Sequence, residues 1–413
     1  MKKNIYVSFV LLASINFWSF QGDIFNSQFK ILQLLISISF IFCIIKFRKK
    51  TNNMYFKKYV LLFMLLPFLG VIPCYFIHGQ QIYLTIWVLR VQLCWLFYFV
   101  LHRLQISEKE ILKIFVFIAF IWVLIELVQQ FTYPKYYFYT RGDTYEKDIE
   151  IRAGIYRYMT AGIYFAVFVL YYYLQKVYDS REQRWKNVLW ILFFLFGIYL
   201  NMTRQTLFAV LLCIFIAPLL LQKFNIVKKY LFFCGGILLA GTIYYFKDVL
   251  WGELIENTEN QLNEDNIRVA SYLFYLNYWD HWSCFFLGNG LPHETSFYGN
   301  YISYIEEDLH LFRSDVGIIG ELSNYGIIYI IVYIVFCFNY FWKSKAIKLY
   351  LKLYLIFTLL IVLMIFPFRY GSEFLFFSVF LYLCDLSLKR ASSKVSNSIK
   401  NDDGEYRRFS HYS

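Results

Sequence analysis

The chain has 413 residues, of which 59% are hydrophobic and only 16% charged, against roughly half apolar and a quarter charged in a soluble domain. The net charge is +12, but the basic residues fall in short clusters between apolar runs, a pattern that orients membrane proteins rather than one that grips nucleic acid. The 8 cysteines form no paired framework and no Cys-x-x-Cys motif, so neither a disulfide scaffold nor a zinc site is expected.

Apolar runs are predicted at 4–20, 31–46, 59–77, 82–101, 111–128, 158–175, 187–202, 205–221, 230–246, 317–341, 349–366 and 374–388. A bilayer crossing needs roughly 20 such residues. The fold class expected is therefore an all-α polytopic membrane protein with about twelve transmembrane helices. The first run follows Met1-Lys2-Lys3 and has no small-x-small cleavage site before Gln21, so it reads as an uncleaved anchor. Lys and Arg cluster at 46–58, 176–186, 223–229, 343–348 and 389–394. An even number of spans with both termini in the cytoplasm puts all of these clusters inside.

That orientation leaves two long external segments, about 129–157 and 247–316, the second between spans nine and ten. The second is acidic, carrying among others Asp280, Glu294, Glu306, Glu307, Asp308 and Asp315, and is expected to be partly helical. Residues 1–388 make one transmembrane domain. The polar stretch 389–413 reads as a disordered cytoplasmic tail. No fixed-period repeat and no similarity between halves is visible, as many secondary transporters would show.

Cations on the outside run against the orientation bias and need a reason. Arg152 and Arg157 precede span six, Arg204 sits in the short hairpin Asn201-Met-Thr-Arg-Gln, and Arg268 and Arg313 bracket the long loop, with Arg369 in the last outside turn. An anionic ligand at the outer surface would supply the reason, since the guanidinium fork suits phosphate. Snorkelling, or pairing with the acidic loop, is the plainer alternative. Arg90 falls inside span four, where it either lines a cavity or pairs with Glu126 or Glu321. The run Tyr272, Phe274, Tyr275, Tyr278, Trp279 and Trp282 reads first as an amphipathic helix at the membrane surface and second as a sugar-stacking platform. His281, His293 and His310 offer general bases. No metal-ligand spacing, Gly-x-Ser-x-Gly element or Asp-x-Asp pair is present.

Four segments together resemble the O-antigen polymerase and ligase superfamily of bacterial surface-polysaccharide assembly, nearest to Wzy-type repeat-unit polymerases. They are Ile151-Arg-Ala-Gly-Ile-Tyr-Arg, Thr203-Arg-Gln-Thr-Leu-Phe-Ala, Asn266-Ile-Arg268 followed by Leu287-Gly-Asn-Gly, and Ser314-Asp-Val-Gly-Ile-Ile-Gly-Glu-Leu-Ser-Asn-Tyr-Gly326. The resemblance covers about 150–345. Ligases usually carry a His-Asn pair where Ser314-Asp315 stands, which favours a polymerase; His310, out of register, keeps a ligase-like transfer open.

The resemblance implies a membrane glycosyltransferase that joins undecaprenyl-diphosphate-linked oligosaccharide units into O-antigen, capsule or exopolysaccharide. It would work at the outer leaflet of the bacterial cytoplasmic membrane. It implies no metal and no cofactor, because a lipid diphosphate is already an activated leaving group. The partners implied are the lipid-linked oligosaccharide, the bilayer and a chain-length regulator. Asp315 is then the candidate for orienting or deprotonating the attacking hydroxyl, with His310 second; Arg204 is grouped with them as catalytic. Arg152, Arg157, Arg268, Arg313 and Arg90 are substrate-binding candidates. A lipid-linked oligosaccharide flippase is the alternative from another class.

Overall fold

The computed structural model describes residues 3–15, 34–42, 54–132, 150–152, 155–157, 162–180, 182–201, 203–221, 267–369 and 371–409. The expected ninth span at 230–246 and the start of the long loop, 247–266, lie outside the described residues. So do Arg48 and its neighbours in the first basic cluster.

Among the described residues the chain is mostly helical. After α1 (Lys3–Ser14) come α2 (Lys57–Phe76), α3 (Ile82–Leu104) and α4 (Glu108–Thr132). A small antiparallel hairpin, β1 (Glu150–Arg152) with β2 (Ile155–Arg157), precedes α5 (Ile163–Asp179), α6 (Arg184–Leu200) and α7 (Arg204–Leu220). The long loop contributes α8 (Ile267–Asn277), α9 (Trp282–Leu287) and α10 (Phe297–Ser303). The bundle closes with α11 (Gly317–Trp342), α12 (Leu349–Ile361) and α13 (Gly371–Phe409).

Among the described residues, five runs are long and apolar enough to cross a membrane: α2, α3, α4, Arg313–Trp342 and Gly371–Ser392. These correspond to the expected spans at 59–77, 82–101, 111–128, 317–341 and 374–388. Other expected spans form shorter helices. α12 stops at Ile361 because the chain turns there, and Pro367 follows. The backbone of α13 stays helical to Phe409, where the sequence reading expects a disordered tail. No proline interrupts that segment.

Helix ends sort onto two sides. At one end of α4, buried Glu108 accepts from Lys348 Nζ at 2.6 Å, from Tyr350 Oη at 2.9 Å and from Arg390. Lys3 and Asn4 dock at the same side, on Leu104 O at 2.7 Å and on Glu110 at 2.9 Å. At the other end of α4, Gln130 Nε2 donates to Tyr156 O at 2.6 Å and Tyr156 N donates to Gln130 Oε1 at 3.0 Å. One side-chain amide thus pairs with the β2 backbone as a neighbouring strand would, and pins the hairpin. The long loop shares this second side, because Ile318 N at the start of α11 bonds Val362 O beyond α12 at 2.9 Å.

The core is aromatic. Phe368 meets Phe63, Trp95, Phe366 and Phe377 at ring-centroid distances of 5.0, 5.3, 4.7 and 4.8 Å. Each such pair contributes about 0.5–1.5 kcal/mol beyond burial. Between helices in lipid, shape and dispersion are the main attraction available. Much of the aromatic content is accounted for by this packing.

Candidate functional site

Three of the crossing helices are irregular. α2 tightens to a 3-10 turn at Leu66–Gly70, and α3 does so at Arg90–Trp95. α11 breaks at Gly326, whose φ is 77°. The break detaches the Ser323 and Asn324 carbonyls from the helix ladder. Loop residues take them up: Asn289 N donates to Ser323 O at 2.8 Å and Gly290 N to Asn324 O at 3.1 Å. Non-helical backbone within a spanning segment is tolerated only where such partners exist. Glycine is required on both faces of this joint. A Cβ on Gly326 would overlap Phe286 O, and one on Gly288 would overlap Asn324 O.

Asn289 locks the joint. It is 1% exposed. Its Nδ2 donates to Tyr278 O and Ser323 O, each at 3.2 Å, so its Oδ1 is left to accept from His78 Nε2 at 2.9 Å. That assignment puts the ring proton of His78 on Nε2. His78 stacks on Tyr298 at 4.2 Å and faces Asp280 across 3.9 Å. Burial holds its pKa below the ordinary value, opposed by the Asn289 bond and by Asp280. Next to it, buried Gln80 donates to Leu291 O at 3.0 Å and accepts from His293 N at 2.8 Å and Ser296 Oγ at 2.6 Å. The short turn between α2 and α3 therefore clamps the loop.

Around the broken helix runs a chain of alternating charge. Arg313 Nε meets Glu306 at 3.3 Å, and its Nη1 donates to Asn324 Oδ1 at 2.7 Å. Asn324 Nδ2 reaches Glu321 at 3.4 Å, and Glu321 faces Arg369 Nε at 3.7 Å. Arg369 N donates to Glu373 at 2.7 Å, which ties the start of α13 to the same network. Glu321 is 2% exposed. Below it, Gln92 Nε2 contacts Tyr325 Oη at 3.3 Å, while Gln92 Oε1, fully buried, has no protein partner among the described residues.

A second group is formed where α8 packs on the 3-10 turn Arg313–Val316. Tyr272 Oη donates to Leu363 O. Burial pushes its phenol above the ordinary value, with Arg268 opposing and Asp315 adding to the push. Arg268 and Asp315 thus act on one tyrosine from α8 and from the 3-10 turn Arg313–Val316.

The expected site residues divide accordingly. Arg313 is in the network, and Asp315 and Arg268 share Tyr272. Arg152 and Arg157 are placed in the hairpin, Arg157 opposite Glu150 and Arg152 opposite Ile155. Arg204 opens α7 on the loop side, half-buried after the Asn201–Thr203 turn. His310 is exposed, with φ 56°, and its ring neighbour is Phe312. Arg90 does not form the expected pair with Glu126 or Glu321. It donates to Trp87 O at 2.6 Å and lies 4.3 Å over the Trp87 ring, because the switch to 3-10 geometry at Arg90 sets it beside that outward-facing tryptophan. Glu321 pairs with Arg369 instead.

The aromatic run in the loop also divides. Tyr275 and Tyr278 are buried, whereas Trp282 is 68% exposed. Glu306, Glu321, Asn324, Gln92, His78 and Gln80 were not singled out by sequence as site residues. A carboxylate and two amides inside apolar runs were the available signal. No group of three or more potential metal ligands occurs among the described residues. No protein-family model matches the chain, and no curated protein matches it.

Proposed function

We propose that this chain polymerises undecaprenyl-diphosphate-linked oligosaccharide repeat units at the outer leaflet of the bacterial cytoplasmic membrane, crossing it about twelve times with both termini inside. The observation that supports this most is the convergence of loop and helix charges at the broken α11, Arg313 and Arg369 with Glu306 and Glu321, beside which α8, carrying Arg268, packs on the turn that carries Asp315. In the reaction a sugar hydroxyl attacks the anomeric carbon of a growing chain, the glycosidic bond forms and undecaprenyl diphosphate leaves. The hydroxyl proton needs an acceptor and the departing diphosphate needs cations. Asp315 is assigned the first role. Arg268 and Arg204 are assigned the second, with Arg152 and Arg157 as further contacts to the diphosphate or the sugars.

The test is complementation in cells lacking the chain, at matched protein levels. Asp315→Asn, Arg204→Ala and Arg268→Ala are expected to leave single repeat units on the outside and little polymer. Unchanged polymer length and amount with both arginine variants would sink the proposal. Repeat units trapped inside the cell would indicate a flippase instead.

A further inference from the structure

We propose that the segment 282–290 is a re-entrant element: α9 lies in the hydrocarbon layer with its aromatic face against lipid, and the Gly288-Asn289-Gly290 turn is seated at membrane depth between two spanning helices. The inference does not depend on the catalytic reading.

Depth comes from the turn's partners. Ser323 lies six residues after Gly317, where α11 begins, or roughly 9 Å along a helix at 1.5 Å per residue. On the other side Gly290 packs backbone to backbone on Gly70, where a Cβ on Gly290 would lie 2.7 Å from Gly70 O. Gly70 is six residues before the end of α2 at Phe76, roughly 9 Å by the same rise. Both distances fall inside the outer half of a hydrocarbon core about 30 Å thick. The turn can sit there because its N–H groups are met by the carbonyls freed at the α11 break.

The occupant of the outer face follows from continuity. α2 exposes Leu62, Leu65, Leu69, Ile72 and Phe76, spaced three and four apart, as a lipid-facing stripe. α9 packs on that same end of α2. Its six residues, Trp-Ser-Cys-Phe-Phe-Leu, carry no charge. Cys284 points inward and is fully buried, while Trp282 and Phe286 are 68% and 45% exposed. Water would meet these rings only at a large apolar cost; the bilayer that covers α2 covers them as well.

The test is site-directed spin labelling of the full chain in proteoliposomes, in a background with accessible native cysteines replaced. Labels at Trp282→Cys and Phe286→Cys are compared with Phe338→Cys, an exposed position within α11, and with Asp308→Cys in the loop. At 282 and 286 accessibility to oxygen is expected to exceed that to a nickel chelate several-fold, as at 338, with the reverse at 308. Labels at 282 and 286 dominated by the chelate would overturn the proposal. So would protection from both reagents, which would mean that a second protein surface covers the face. If Phe286→Cys fails to fold, the highly exposed Trp282 position alone decides. There, oxygen accessibility well above that of the nickel chelate supports the proposal, and the reverse order, or protection from both, overturns it.

Discussion

Asn289 N donates to Ser323 O at 2.8 Å, which bonds a loop into a gap in a spanning helix. The network of Arg313, Glu321 and Arg369 is built beside that joint. Asn324, the residue after Ser323, holds Arg313 with one end of its amide and Glu321 with the other.

The joint should be intolerant of a methyl group. Gly326→Ala combines a positive φ, costing about 1–3 kcal/mol for a non-glycine residue, with overlap on Phe286 O. Gly79→Ala serves as the control, since Gly79 has φ 65° but open space around it. Thermal unfolding of the detergent-solubilised protein should show a clearly larger loss for Gly326→Ala. Equal losses would mean that the backbone does not pass so close.

Breaking the Arg313–Glu306 pair should be expensive from the arginine side. The Arg313 side chain is 11% exposed and Glu306 26%. Removing one member of a buried pair typically costs about 3–5 kcal/mol, and removing Arg313 in addition takes the donor away from Asn324 Oδ1. Arg313→Ala is therefore expected to destabilise more than Glu306→Ala, and the double variant less than the sum. A double-mutant cycle on unfolding measures this; strict additivity would count against the pair.

Stability should fall with acid through His78. Folding favours the neutral ring, so its contribution is complete above the unfolded-state value of about 6.5 and is lost as pH drops below it towards the lower folded value. Asp280 faces the ring and softens the loss, while Tyr278 and Tyr298 flank it without charge. Unfolding followed from pH 7.5 to pH 5 should show a slope that His78→Gln flattens and Asp280→Asn steepens.

Gln92 should be dispensable for folding. An unsatisfied buried acceptor costs about 1–3 kcal/mol, and Gln92 Oε1 is one among the described residues. Gln92→Met is expected to leave the melting temperature unchanged or raise it. A fall in melting temperature would show that the amide is structural.

The spanning helices were legible because length and hydropathy are local properties, and the five longest appear near their expected positions. Arg313 drew attention because cations on the outside run against the orientation bias, and Asp315 because of the resemblance. The partner of Glu321 was not. It is Arg369, 48 positions on, and the pairing depends on where α11 breaks and where α13 begins. Sequence offered Arg90, as one of two readings of that residue, in place of Arg369. The change from α to 3-10 geometry at Arg90 decided otherwise, and no residue pattern announces that change. His78 and Gln80 were missed for a related reason: two polar residues in a five-residue turn look like solvent-facing filler until the loop they grip is in place.

Glu108 bears on how the protein is made. Its partners Lys348 and Arg390 lie 240 and 282 residues further along, which at about 5–20 residues per second means a wait of roughly 15 to 60 s during synthesis. For that interval α4 carries a carboxylate with none of its final cations. A nascent chain released before Lys348 never acquires them, and one released before Arg390 acquires only the first. A helix made late thus completes one made early, and a chain cut short between them holds a carboxylate without its final cations.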